Sequence, residues 1–245
     1  MGAVDMPKAA IGNMQNLADR KLHGATHGTA AGRIGDVIGK SPFLAQGSIR
    51  VAIARDPVQL DSCASLIAKR YGWRGYDVPE PIIDNPSYFT IFASSAEGQI
   101  LGTLTLGLDS AAGLMADEMY QAEVDAARFA GSRVAELVRL AVDVCPEAKE
   151  VLASLLHMAY LCGRIIHGVT DTFIEVNPRH VSYYVRLFGF EVAGSPKTCP
   201  RVNAPAVLLR LRLDRIHQAA HDFVEGVFRQ LDKQCPHPHE ELSTA

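Results

Sequence analysis

Apolar and polar positions alternate singly over residues 48–54, "SIRVAIA", the spacing of a half-buried strand. The next stretch, "DPVQLDSCASLIAKRYG", changes to helical spacing and predicts a helix with Asp56 as N-cap, Pro57 at its first position and Gly72 just past its end. "GWRGYDVPEPIIDNPS" holds three prolines and two glycines and reads as loop. In "YFTIFASSAEGQILGTLTLGLD" two β-rich runs flank a polar turn, which predicts a hairpin. Helical spacing returns in "DEMYQAEVDAARFAG", "VAELVRLAVD" at 134–143 is a strand, and "PEAKEVLASLLHMAYLCGRIIHG" is a long amphipathic helix between Pro146 and Gly168. The strand "DTFIEVN", a short helix to Leu187, the strand "GFEVAG" and a final strand "PAVLLRLRL" complete the order. Hairpin strands combined with helical crossovers predict an α/β (α+β) fold: a mixed, largely antiparallel central sheet flanked by helices.

Neither end of the chain continues this pattern. Residues 1–47 are rich in Gly, Ala and polar residues without sustained period and are expected to form a weakly ordered arm ahead of a domain over 48–215. Over 216–245, Ile216, Ala220, Phe223, Val227 and Leu231 recur at helical spacing and predict an amphipathic helix with a short tail.

Composition narrows the class. A hydrophobic content of 48% and a mean hydropathy of +0.05 suit a globular protein with an ample core. The net charge of −3 argues against general nucleic-acid binding. Five scattered cysteines without a CxxC pair suggest reduced thiols and no zinc site. The N-terminus lacks the apolar run of a signal peptide, and His157 and Arg164 interrupt the apolar "VLASLLHMAYLCGRII". The expectation is a cytoplasmic protein with no integral membrane segment. His217 and His221 stand four apart on the last predicted helix but have no third ligand nearby, so no metal is expected.

Four pieces in order carry a resemblance: "GTLTLGLDSAAGLMADEMYQAEVDAAR", "ELVRLAVD", "NPRHVSYYVRLFGFE" and "CPRVNAPAVLLRLRL". Together they resemble the long-chain N-acyl amino acid synthase branch of the Gcn5-related N-acyltransferase superfamily, which is similar to acyl-homoserine-lactone synthases. "AKRYGWRGY" is similar to the helix and loop preceding the substrate region in both branches. The resemblance implies transfer of a fatty acyl group from acyl carrier protein to an amino acid, with tyrosine as the leading acceptor. It implies no permanently bound cofactor; the donor is the thioester on the carrier's phosphopantetheine. Two departures stand out. Where the superfamily has a glycine-rich pyrophosphate loop, this chain reads "DVCPEAKEV", which suits a carrier-protein donor better than coenzyme A. The superfamily tyrosine five residues before the Phe of the Gly-Phe pair falls on Val185, with Tyr183 and Tyr184 beside it.

Aminolysis of a thioester needs a base for the acceptor ammonium and donors for the oxyanion. Glu136 is the candidate base, expected on one strand face with Val138, Leu140 and Val142, where desolvation raises its pKa; a surface pair with Arg133 or Arg139 is the bland alternative. Arg139 is read either as an anchor for the acceptor carboxylate or as a structural ion pair. Arg70, Trp73 and Arg74 are candidates for binding acyl chain and acceptor, with a core tryptophan as the alternative. Asp109 either meets the acceptor amine or serves its turn. Backbone N–H groups from Ala141 through Val142 to Asp143 are candidate oxyanion donors, and Asn177 is expected to cap a helix. Lys197, Arg201, Arg210 and Arg212 form a cationic cluster that either receives the acidic carrier or is a solvated strand face. The competing functions are an acetyl-coenzyme A-dependent N-acetyltransferase and a non-catalytic acyl-binding module.

Overall fold

The computed structural model describes residues 49–79, 82 and 85–213; the predicted N-terminal arm and the C-terminal helix with His217 and His221 lie outside the described residues. The first alternating run forms β1 (Arg50–Ile53), followed by α1 (Pro57–Trp73). Asp56 caps this helix as expected, accepting from the Gln59 N–H at 2.9 Å. The expected stop at Gly72 moves: the helix runs through it, and the chain leaves at Gly75, whose φ of 72° suits glycine. The hairpin is β2 (Tyr88–Ser94) and β3 (Ile100–Leu108), and α2 (Asp117–Phe129), β4 (Val134–Val142) and α3 (Ala148–Tyr160) follow. A π-helical turn (Leu161–Ile166) extends α3 toward Gly168. Then come β5 (Asp171–Val176), a 3-10 turn (Pro178–His180), α4 (Val181–Phe188), β6 (Glu191–Val192), β7 (Lys197–Cys199) and β8 (Ala204–Arg212).

Strand order is β1-β2-β3-β4-β5-β8-β6, with β7 paired to β8 off this path. Only the β4–β5 pair is parallel, and it is short: Val134–Glu136 meets Asp171–Phe173 and the ladder stops. Beyond this point the strands part, although β5 remains paired to β8 through Val176. The sheet is mixed and largely antiparallel, as expected. β7 is an addition; "SPKTCP" is too short and too proline-rich to read as a strand.

Helices cover both faces. Val151, Leu155 and Met158 of α3 pack on Leu104, Leu106 and Ala135, and Leu187 and Phe188 of α4 join Ile174 and Val176 on that side. The opposite face carries α2, with Tyr120 and Val124 against Val134, Phe173 and Leu208, and α1, with Leu66 and Ile67 against Ala141. Each such fully buried side chain contributes roughly 1.5–3 kcal/mol of burial. Among the described residues no helix is long and apolar enough to cross a membrane.

His157 on α3 is 6% exposed, and burial pushes its imidazole down to about 4. The fold therefore holds the neutral ring. Its contribution is complete above the unfolded pKa near 6.5 and is lost as pH falls through about 4. Denaturation at pH 7 and pH 4 is expected to differ by about 3 kcal/mol from this group, at roughly 1.4 kcal/mol per unit. His157→Gln removes that part of the difference; an unchanged pH dependence in the variant would refute this source.

Candidate active site

The parting of β4 and β5 opens a cavity of about 560 Å³. Its walls are Leu137–Val142 of β4, Ile174–Val176 of β5, Leu152 and Leu156 of α3, and Tyr183, Tyr184 and Phe188 of α4. Most of this lining is apolar. The charged and polar part of the lining includes Arg70, Arg74, Arg139, Glu175, His180 and Arg201. Beyond the last β4–β5 pair, the backbone groups that a closed ladder would use face this space instead.

A bulge shapes the β4 wall. Thr105 pairs with Val138 but Thr103 pairs with Ala141, so Arg139 and Leu140 together oppose Leu104. Arg139 absorbs the extra residue at φ 57°, a left-handed conformation uncommon for a long side chain. The insertion inverts the alternation. Ala135 and Leu137 pack toward α3 before it, and Leu140 and Val142 do so after it. Glu136 thus does not share a face with Leu140 and Val142, contrary to expectation, because one residue was added between them.

Glu136 is 1% exposed and does not line the cavity. Its Oε1 accepts from the Tyr88 hydroxyl at 2.5 Å and the Met115 N–H at 2.8 Å; Oε2 accepts from the Ala116 N–H at 3.0 Å. Burial pushes its carboxyl above the usual range while these three donors pull the other way. In this arrangement it anchors the Met115–Ala116 turn rather than presenting a base to the cavity. Gly107 makes the anchor possible, because a Cβ there would stand 2.5 Å from Tyr88 Cε1 and 3.0 Å from Glu136 Cγ. Gly107→Ala is expected to destabilise the protein by about 1–3 kcal/mol by prising the ring from the carboxylate. Urea denaturation measures this, and a change below about 0.5 kcal/mol would contradict the packing.

The other expected residues divide. Arg70 and Arg74 line the cavity with Arg139, and Arg74 Nη1 lies 3.1 Å from His180 Nε2, joining the end of α1 to the turn after β5. Burial, then Arg74 and Arg179, hold His180 below the usual imidazole range. Trp73 is 74% exposed beneath the Arg70 guanidinium, outside the cavity lining. Asn177 caps the 3-10 turn as expected, accepting from the Arg179 N–H at 3.2 Å. Asp109 is drawn away from any acceptor by a two-point pair with Arg128, at 2.7 and 2.9 Å. Ala141 and Val142 line the cavity, but the Asp143 N–H is committed to the Leu101 carbonyl at 2.8 Å and its carboxylate to Lys69, so Asp143 leaves the candidate oxyanion donors.

The cationic cluster is dispersed. Lys197 donates to the Met119 carbonyl and stands over the Tyr120 ring. Arg210 pairs with the buried Asp171 at 2.7 Å. Arg201 enters the cavity wall, where it donates to Glu118, Glu175 and the Met115 carbonyl. Only Arg212 remains on an exposed strand end. Arg201 and Arg210 thus answer acids within the fold, and the four cations do not share one setting.

Glu175 was passed over by the sequence reading. Arg201 binds its Oε2, while Oε1 is buried without a hydrogen-bond partner. The available signal was a carboxylate inside the otherwise apolar "FIEV", where a strand flanked on both sides has little use for charge.

No curated protein matches the chain. Among solved structures it is similar to FeeM, an N-acyl amino acid synthase from uncultured soil microbes, at 28% identity and TM-score 0.62 over 68% of this chain and 90% of that one. It also matches a putative N-acetyltransferase from Lactobacillus plantarum at 15% identity and TM-score 0.47, over 68% and 99% of the two chains. The acyl-homoserine-lactone synthase LasI matches at 17% identity and TM-score 0.46, over 68% and 91%. The family model for the N-acyl amino acid synthase FeeM matches residues 62–212, more than half the chain. On that match, this chain belongs to the FeeM family of N-acyl amino acid synthases and is an acyltransferase.

Proposed function

We propose that the protein moves a long-chain fatty acyl group from the phosphopantetheine thioester of acyl carrier protein to the amino group of an amino acid, with tyrosine as the leading acceptor. The observation that carries this reading is the cavity where β4 and β5 part, apolar along most of its wall with charged side chains set into it. An extended thioester arm can bond to the open edge of β4 as an added strand would. The alkyl chain then fills the space among Leu104, Leu152, Leu156, Ile174 and Phe188. Backbone N–H groups around the bulge and at Val142, which face away from β3, serve the oxyanion. Arg70, Arg74 and Arg139, which line the cavity, supply positive charge for the acceptor carboxylate.

Two features support a carrier-protein donor. The turn after β4 has no glycine, and Glu147 and Glu150 stand at the start of α3. Carboxylates at a helix N-terminus occupy the electrostatic niche that a pyrophosphate would need, and they repel it. Purified protein is to be given palmitoyl-carrier protein or palmitoyl-coenzyme A with a mixture of amino acids, and products read by mass spectrometry. An N-acyl amino acid formed preferentially from the carrier thioester is expected. Acetylated product from acetyl-coenzyme A, or no product from any donor, would overturn the proposal.

A further inference from the structure

We propose that Glu175 is the group that receives the acceptor amine, taking its proton at the cavity wall. The inference rests on the acyl-transfer reading above and adds a residue to it. Glu175 lies on β5 beyond the last pairing with β4, on the stretch whose edge lines the cavity. Its side chain is 11% exposed. Arg201 fixes one carboxylate oxygen, and the other has no hydrogen-bond partner. A buried acceptor left unpaired is costly, and a rotation of the carboxylate toward the cavity that Glu175 lines lets an arriving N–H donor satisfy it.

The charges around it favour an ammonium. Arg201 faces Glu118 and Glu175 directly, and Glu136 interacts electrostatically with both Glu175 and Arg201. Three carboxylates thus surround one guanidinium. Tyr120 and Cys199 are the neighbouring neutral titratable groups, and Lys197 sits over the far ring of Tyr120. Burial raises the Glu175 carboxyl above its ordinary value while Arg201 moderates the rise, which makes it a stronger proton acceptor than an exposed carboxylate.

The step balances without an added reagent. The acceptor enters as R–NH3+, and Glu175 takes one proton. The freed nitrogen pair forms the C–N bond at the thioester carbonyl as the C=O pair moves to oxygen. Collapse breaks the C–S bond, the thiolate leaves with the second amine proton, and the proton on Glu175 returns to solvent. Amide and free thiol are the products.

The test compares the full chain with Glu175→Gln and Glu175→Asp, using palmitoyl-carrier protein and tyrosine. Glu175→Gln keeps the shape and leaves Arg201 paired with Glu118, so it is expected to fold, which thermal melting checks. The expected result is a loss of at least about 100-fold in kcat/KM for the amine, disappearance of the acidic limb of the pH–rate profile, and partial rescue by Glu175→Asp. A folded Glu175→Gln with parental turnover and an unchanged profile would overturn the assignment while leaving the acyltransferase reading intact. A parent chain that makes no N-acyl amino acid would remove both.

Discussion

Glu136→Ala is expected to cost the fold about 3–5 kcal/mol, a large part of the 5–15 kcal/mol that holds an ordinary domain together. The reason is arithmetic on donors. The carboxylate accepts from the Tyr88 hydroxyl and from the Met115 and Ala116 N–H groups, all within 3.0 Å. Alanine strands the Ala116 N–H and the Tyr88 phenol, each at roughly 1–3 kcal/mol, and leaves the Met115 N–H only the Tyr88 oxygen at 3.1 Å. Glu136→Gln also loses, because its amide places an NH2 against donors that need an acceptor. Urea denaturation of both variants measures the effect. Stability within about 1 kcal/mol of the parent would show that the anchor is dispensable.

Arg201→Met should be the next most damaging change, and its effect should depend on pH. The guanidinium is the cation that Glu118 and Glu175 share, and it also holds the Met115 carbonyl at 3.1 Å. Removing one member of a buried ion pair costs about 3–5 kcal/mol, because the remaining charge is left without compensation. The folded-state pKa of Glu175 already lies above the ordinary 4.5, since burial opposes its charge. For an acid shifted in that direction, the fold is favoured with the proton on, below the unfolded pKa, and the benefit fades as pH rises through the folded value. Without Arg201 the shift grows. The deficit of Arg201→Met is therefore expected to be larger at pH 7 than at pH 5, and Glu175→Gln in the same chain should recover part of it. Equal deficits at both pH values, with no recovery in the double variant, would place the stabilisation elsewhere.

Much of the frame was legible because local signals act over a few residues. Alternation marked the long strands, and Asp56 and Asn177 announced two helix starts that the structure repeats. The bulge was hidden because its left-handed residue is an arginine, not the glycine or asparagine that usually signals one. That single concealed insertion reversed the predicted face of everything after it on β4. The charged residues failed for another reason. Arg201 meets Glu118 across 83 positions and Glu175 across 26, and no window on the chain brings them together. Neighbours in sequence misled: Arg210 turned inward to Asp171 while Arg212, two residues on, stayed outside.

The brief parallel ladder between β4 and β5 has a mechanical consequence. Three register pairs are the whole strand ladder between one leaf of the sheet, β1 to β4, and the other, β5 to β8. Helix packing spans the same seam, as where α2 meets Val134, Phe173 and Leu208. The leaves meet again across the wedge through Arg74 with His180 and Tyr76 with Asn177, contacts borne by side chains. With so short a ladder, the width of the wedge is held by side chains and helices spanning it, so its shape rests on packing more than on backbone pairing.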